Sequence, residues 1–413
     1  MRTTVEAYSL RNAAALVQES STKRGNLSVQ SGKISAGKAA GPEIDLGGSS
    51  FLYPALINIH DHFRGNYVPQ VGPNGDAFYI NWSPWDNDLK ASPVYKERAN
   101  ITVEQMYFLS SYKNLFSGVA TANDHFPHEI NEPFLPRLPI RVIGEYTLAH
   151  ECSSFDLKWG DGIEIEHKRA VERNWPFITH LEEGFDPESQ DGIGILERLG
   201  CLDGHDVFIH CIGFSDEDIA KTAKAGASIS WCPASNMLMF NVTCKIRKFL
   251  EAGVNVCLGT DSTHTGSANL LSEIKFARKV FRDMYGTELP AKTLFRMVTA
   301  NPAKAFRMQD RTGSLDAGKS ADLLVLKAIH DDPYEALARA EPSDIRLLTL
   351  EGVPLLVEEA LAEPFRELLA KGYETIKVGG RKVHVRGTPA ALYRDVRKAI
   401  GFDKKLDYLP FEP

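Results

Sequence analysis

The sequence predicts an α/β protein: a (β/α)8 barrel of the TIM type, with a small β-sandwich formed beside it by the N- and C-terminal segments. Three observations carry this expectation. Short apolar runs alternate with helical patterns over roughly 250 residues, the length of such a barrel. The runs are almost continuously apolar, as parallel strands covered on both faces are. Both ends of the chain have another cadence, short apolar runs broken by Gly, Ser and Lys, which reads as antiparallel strands joined by tight turns.

Taken in order, residues 1–52 hold "AALVQ", "NLSVQSGKI" and "EIDLGG", the first part of the sandwich. Residues 53–312 form the barrel. Its strands are read from "FLYPALINI", which begins just before that boundary, "GVATANDH", "IRVIGEYTLAH", "WPFITHLEEG", "DVFIHCIGFS", "ASISWCPASN" and "VNVCLGTDS". Helices are expected over 102–117, 216–225, 245–252 and 268–285. The first carries Thr102 and Gln105 spaced as a capping box and Gly118 as its stop. Residues 63–100 read as one long loop after the first strand. β texture returns over 313–360 in "TGSLDAGKSADLLVL" and "DIRLLTLEGVPLL", the second part of the sandwich. Residues 361–413 are a charged, partly helical extension whose role the sequence does not disclose.

Composition narrows the function. The 413 residues carry 47 Lys and Arg against 54 Asp and Glu, a net charge of −7. A mildly acidic chain is a poor partner for nucleic acid or an anionic membrane, so neither is expected. No apolar run approaches the ~18 residues of a spanning helix. The opening "MRTTVEAYSL" has no apolar signal-peptide core. Cys152, Cys201, Cys211, Cys232, Cys244 and Cys257 are scattered with no CxxC pair, the usage of reduced, buried thiols. A cytoplasmic protein is expected.

The chemistry gathers at the ends of the expected strands, where a parallel barrel keeps its reactive groups. "FLYPALINI" runs into His60 and His62, "PFIT" into His180 and then Glu183, "DVFI" into His210, and "VNVCLGT" into Asp261. On an extended chain the HxH pair places both imidazoles on one face, because side chains alternate with period two. Two such imidazoles, a third and a carboxylate suit a divalent metal. One strand-end histidine alone would be an ordinary hydrogen-bonded residue, and one Asp an ordinary helix cap; four histidines and an aspartate at successive strand ends are not ordinary. Other chemistries lack their motifs. HExxH, Walker A, GxGxxG after a strand, GxSxG and the PCxxC of small zinc deaminases are all missing.

At these residues the sequence resembles the amidohydrolase superfamily, in its branch of cytosine and guanine deaminases, adenosylhomocysteine deaminases and triazine hydrolases. The resemblance covers about residues 25–356. "DLGGSSFLYPALINIHDH" looks like the family's first-strand entry, with Ala55 where the family usually has Gly. "THLEE" is similar to its HxxE, "IHCIGFSDEDI" to its HCxxLxxEEI, "CPASNMLM" to its [NC]PxSNxxL and "LGTDS" to its GTDG or GTDS. "TANPAKAF" and "GSLDAGKSADLLVL" look like the closing helix and the return to the β domain.

The resemblance implies one divalent metal, zinc or in some members iron, held by His60, His62, His180 and Asp261. A single metal is implied because "RVIGEYTLAH" and the start of "THLEE" lack the lysine of the binuclear branch. It implies Glu183 as proton shuttle, and His210 as the group that orients water or the substrate. Such an ion lowers the pKa of water from 15.7 to roughly 7. The expected reaction is therefore hydroxide attack on an sp² carbon, with Asp261 accepting the water proton, and deamination of a nitrogen heterocycle is the leading case. Hydrolysis of an amide, an N-alkyl amine or a cyclic C–N bond stays open, as does a catalytically silent scaffold, against which the intact ligand set argues. For the small-molecule substrate, Asn236 is the expected pocket hydrogen bond, with His125 and Arg64 within reach. Trp82 and Trp85, with Phe78 and Tyr79 on the same loop, could stack on a planar ring or pack a lid or subunit interface. Homodimers are common among the relatives, and a homodimer is a possible state here.

Overall fold

The computed structural model describes residues 6–75 and 77–413; the first five residues of "MRTTVEAYSL" lie outside them. Eight short strands build the barrel. They are β1 (Leu56–Asp61), β2 (Val119–Asp124), β3 (Arg141–Val142), β4 (Thr147–Glu151), β5 (Phe177–Leu181), β6 (Asp206–His210), β7 (Ser228–Trp231) and β8 (Asn255–Leu258). β1, β2 and β3 pair in parallel, and so do β4 through β8, each with its successor. The backbone N–H groups of Thr260 and Asp261 donate to the carbonyl of His60 at 3.0 and 3.2 Å, tying the end of β8 to the end of β1. Every residue of β1, β2, β4, β5, β6 and β7 is buried, which is why these segments read as unbroken apolar runs.

Two local expectations need correction. "IRVIGEYTLAH" is two strands, not one, because the chain breaks after Val142 at Ile143–Tyr146, where Gly144 and Glu145 act as punctuation. That break supplies the eighth strand with no helix between β3 and β4. Residues 63–100 are also not a plain loop. They fold into helices Trp82–Ala91 and Pro93–Arg98, capped by the side-chain oxygens of Asn81 and Ser92, which accept from the N–H groups of Ser83 and Tyr95. Pro93 stands at the start of the second helix, where its missing N–H costs nothing.

The helix expected at 102–117 spans Val103–Leu115, and both bonds of its Thr102–Gln105 capping box form. Gly118 ends it at φ +80°, where a Cβ would stand 2.9 Å from Leu324, so only glycine fits the turn into β2. The other expected helices lie at Asp216–Ala225, Ile246–Glu251 and Leu270–Tyr285.

The two chain ends meet in one 10-stranded sheet with its own apolar core, which includes Tyr8, Leu10, Val29, Leu52, Val325 and Leu347. Ser50–Pro54 lies antiparallel to Leu323–Lys327 at its centre. The C-terminal extension joins both halves of the molecule. Its hairpin, Tyr373–Val378 with Arg381–Arg386, extends the sheet through Val353–Glu358. Its last residues bury Leu406, Tyr408, Leu409 and Phe411 in the barrel core. Each such side chain contributes about 1.5–3 kcal/mol. Tyr408 also donates its hydroxyl to the carbonyl of Asn66, on the segment that follows β1.

One buried cation organises the floor of the barrel mouth. Lys113, on helix Val103–Leu115, is fully buried. Its ammonium donates to both Asp61 carboxylate oxygens at 3.1 Å, to Asn66 Oδ1 at 2.9 Å, to Thr260 Oγ1 at 3.0 Å and to the Asp261 carbonyl at 3.1 Å. Asp61 is further held by the side-chain amides of Asn66 and Asn114, each at 2.8 Å. This network fixes the ends of β1 and β8 against each other. Removing one partner of a buried ion pair leaves the other charge desolvated and costs about 3–5 kcal/mol. Lys113→Met is expected to lose that much stability, measured by chemical denaturation; an unchanged midpoint would show that Asp61 does not need this counter-charge.

Candidate metal centre and active site

Parallel strands deliver their last residues to one end of the barrel, and here those residues are imidazoles and carboxylates. His60 and His62 end β1, separated by Asp61, which points the other way into the Lys113 network. Their rings stand edge to face with centroids 4.6 Å apart. His180 on β5 and His210 on β6 stack with centroids 5.5 Å apart. His60, His62, His125 and His180 each bring one ring nitrogen to within 4.8 Å of the others.

The hydrogen bonds fix the tautomers. His62 Nδ1 faces the carbonyl of His125 at 3.0 Å, and His180 Nδ1 faces the carbonyl of His150 at 2.7 Å. A carbonyl only accepts, so both Nδ1 atoms carry the proton and both Nε2 atoms present bare lone pairs. Those two Nε2 atoms are 3.3 Å apart. Two lone pairs at that distance repel unless a cation lies between them, and 3.3 Å is about the edge of a tetrahedron with bonds of ~2.0–2.1 Å. His60 is fully buried with neither ring nitrogen hydrogen-bonded. Asp261 Oδ1 lies 3.8 Å from His60 Nε2 and 3.7 Å from His62 Nε2. Orphaned imidazole nitrogens converging beside a carboxylate fit a divalent metal.

The charges around the cluster agree. Burial, followed by the neighbouring imidazoles, holds His60 and His180 far below the ordinary histidine range, so both stay neutral and able to ligate. Burial also lowers His62 and His210. Burial works against the charge on Asp261, but the His62 and His210 rings, the Ser235 hydroxyl and the Ser262 N–H outweigh it, and the carboxyl lies below its usual range. Its Oδ2 accepts from Ser235 at 2.7 Å and Thr265 at 2.8 Å. Asp261, His210 and Glu182 all hold positive φ, at 51°, 69° and 53°, a strained arrangement of the kind found at functional strand ends.

A cavity of about 330 Å³ opens onto this cluster. His62, His180, Glu183, His210 and Asp261 line its base. Glu183 Oε1 is 3.4 Å from His210 Nε2. Burial first, then the charges of Asp261 and Glu151, push the Glu183 carboxyl well above the usual carboxylate range. The adjacent Glu182 points away and accepts the Ile193 N–H at 3.1 Å.

The residues expected to contact substrate divide. Arg64, Trp82 and Trp85 line the cavity. The Arg64 guanidinium sits 5.4 Å over the Phe126 ring. Trp82 donates its indole N–H to Glu151 at 2.6 Å and Trp85 to the Val71 carbonyl at 2.9 Å, so both rings are held as walls. Asn236 does not line the cavity. Its Oδ1 accepts from His210 Nδ1 at 2.8 Å and its Nδ2 donates to Thr243 at 2.9 Å, which leaves it behind His210 rather than facing the cavity. His125 also lies off the cavity wall. It is fully buried in the histidine cluster, with Nε2 on the Ala149 carbonyl at 3.2 Å. Phe78 is half exposed, and the Tyr79 hydroxyl bonds Asp88; neither lines the cavity.

Among the cavity groups that sequence reasoning missed are His150, Trp159, Arg98 and His264. His150 ends β4, a strand concealed inside a longer apolar run. Arg98 donates to His264 Nε2 at 2.9 Å, a contact between segments 166 residues apart that no local pattern announces.

Known proteins share parts of this sequence and its fold. The amidohydrolase family model matches residues 161–355. A 5-methylthioadenosine/S-adenosylhomocysteine deaminase of Syntrophobacter fumaroxidans is 29% identical over 371 residues, 78% of this chain and 83% of the relative. A 5'-deoxyadenosine deaminase of Methanosarcina acetivorans is 33% identical over 174 residues, 40% of each chain. The crystal structure of an adenosine deaminase from Xanthomonas campestris with bound zinc has the same fold, with a TM-score of 0.71 at 18% identity over 87% of this chain and 96% of that one. In its strand-end histidines, its barrel and these matches, the chain is similar to the amidohydrolase family over residues 161–355 and to these deaminases.

Proposed function

We propose that this protein is a mononuclear metal-dependent deaminase of a 6-aminopurine nucleoside carrying a modified 5' position. The observation that carries the hydrolytic reading is the pair of Nε2 lone pairs of His62 and His180, opposed at 3.3 Å and locked by backbone carbonyls. The names of the relatives support the purine nucleoside. His60, His62, His180 and Asp261 would hold the ion, with zinc preferred because imidazole nitrogens dominate the donor set. Asp261 brings the negative charge that the neutral imidazoles lack. When bound, the cation supplies Lewis acidity that makes water nucleophilic near neutral pH.

The remaining roles fall to the chain's own side chains. Glu183, desolvated and protonated, donates its proton to a ring nitrogen of the substrate and makes the adjacent carbon electrophilic. The attacking water gives up both protons, first to Asp261: one passes by Glu183 to the departing amino group, which leaves as ammonia, and the other restores protonated Glu183. His210 donates Nδ1–H to Asn236 Oδ1, so its Nε2 faces the cavity as an acceptor and orients the attacking water. Asn236 is thus a positioning residue, held in turn by Thr243, which also accepts from the Trp231 indole at 2.8 Å. The Trp82 and Trp85 walls suit a flat heterocycle.

Ammonia release by zinc-loaded protein, assayed against adenosine, 5'-deoxyadenosine, 5'-methylthioadenosine, S-adenosylhomocysteine, guanine and a triazine, tests the reading. Turnover of the adenosine series is expected. Silence on every amino-heterocycle with metal bound would move the reaction to amide or ring C–N hydrolysis. Glu183→Gln is expected to lower kcat by about 10²–10⁴-fold at unchanged metal content; retained turnover would remove Glu183 from proton transfer. Asn236→Ala is expected to lower kcat by about 10–100-fold while KM holds, since it acts through His210. A rise in KM alone would make it a substrate contact after all.

A further inference from the structure

A second constellation of the same donor types lies at the opposite end of the barrel. β6 begins at Asp206 and ends at His210. Four residue steps at ~3.3 Å put about 13 Å between its two ends, so Asp206 stands well away from the catalytic cluster. Around Asp206 gather His167, from helix Ile163–Arg173, and Asp203, from the turn that leads into β6.

His167 is 6% exposed and Asp206 1%. His167 Nε2 lies 3.5 Å from Asp203 Oδ1 and 3.5 Å from Asp206 Oδ1. Among the described residues, neither His167 Nε2 nor Asp206 Oδ1 makes a well-aligned hydrogen bond. The other carboxylate oxygens at the site, the proposed ligand atom Asp203 Oδ1 included, already accept hydrogen bonds. Asp206 Oδ2 accepts the Asp203 N–H at 2.8 Å, and Asp203 Oδ1 accepts from the backbone and ring N–H of His205 at 2.7 and 2.9 Å. The nearby cation, Arg307, donates to Asn174 Oδ1 at 3.0 Å and to the Gly204 carbonyl at 2.7 Å; its Nε has no partner among the described residues, and its charge acts on both carboxylates from beyond ion-pair distance. No Lys or Arg ion pair reaches either carboxylate among the described residues.

Apart from a neutral pair, in which the Asp206 carboxyl that burial pushes well above its usual range would donate to His167 at ordinary hydrogen-bond length, two arrangements could reconcile a buried imidazole with two carboxylates. An imidazolium would draw the oxygens in to about 2.7–2.9 Å, the length of a charge-assisted hydrogen bond. A tetrahedral ion with bonds of ~2.0–2.2 Å holds its ligands about 3.3–3.6 Å apart. The observed 3.5 Å spacings match the second. The donor set, one imidazole nitrogen and two carboxylate oxygens, suits zinc or a similar first-row divalent ion. His205, donating its ring N–H to Asp203, takes the place of the outer hydrogen-bond donors that orient carboxylate ligands.

We propose that His167, Asp203 and Asp206 form a second, structural divalent-metal site that staples helix Ile163–Arg173 to the N-terminal end of β6. It has no part in the chemistry at the other end of the strand. A bound ion there opposes separation of the helix from the strand and stabilises only the folded state.

Metal stoichiometry decides it. Full-length protein is loaded with zinc, desalted and assayed by elemental analysis. Wild-type protein is expected to hold two equivalents, and His167→Gln one, with kcat unchanged. A His60→Ala/His62→Ala variant, which lacks the catalytic centre, is expected to keep one. One equivalent in wild type with none in the double variant overturns the proposal. Two equivalents persisting in His167→Gln overturns it as well. Should His167→Gln fail to fold, Asp203→Asn replaces it, and the double variant still gives an independent answer.

Discussion

The active end of this molecule depends on a single buried ammonium. Lys113 buries its ammonium completely, and the surroundings satisfy it with the Asp61 carboxylate, two side-chain oxygens and the Asp261 carbonyl. Desolvation makes this arrangement costly to disturb, because each partner lost leaves a buried charge exposed to low dielectric. That cost is what gives the HxH segment its precision. Asp61 is the residue between His60 and His62, so anchoring it on one face of β1 presents both imidazoles on the other. The same ammonium grips the backbone of Asp261, so the carboxylate from the far end of the barrel is held in register with the histidines of the first strand.

Around this anchor, each reactive nitrogen is directed by a second bond. Backbone carbonyls fix the protons of His62 and His180, and Asn236 fixes that of His210. Orientation is thus assigned by groups behind the imidazoles, which is how a rigid barrel keeps rings that would otherwise rotate. Glu183 differs from its neighbour Glu182 by facing alone. The positive φ of Glu182 turns the chain so that one carboxylate reaches the cavity and the other caps a helix.

Much of this was legible in the sequence, for identifiable reasons. Period two in "HDH" and the strand-end positions of His180, His210 and Asp261 are local patterns, and parallel topology turns them into one cluster. The capping box at Thr102 was likewise local. What escaped notice depended on contacts between distant segments or on punctuation inside apolar runs. Gly144 split a strand and concealed His150. Asn236 looked like a pocket residue because its neighbours in the chain are at the cavity, yet its amide is consumed behind His210. Lys113 gave no signal, since a lysine on an amphipathic helix ordinarily reads as solvent-facing. The final segment read as a charged tail because its Lys and Glu residues masked Leu406, Tyr408 and Phe411.

The pairing of Ser50–Pro54 with Leu323–Lys327 has a consequence for how the chain reaches this state. The N-terminal strands emerge during synthesis some 270 residues before their central partner. Until then their edges lack the neighbour that will cover them, and open strand edges recruit other chains. The barrel must therefore form as an insertion between two halves of a sheet that cannot yet close, a topology of long-range contacts that folds slowly. Synthesis is therefore the stage at which this long-range pairing leaves strand edges most open to other chains.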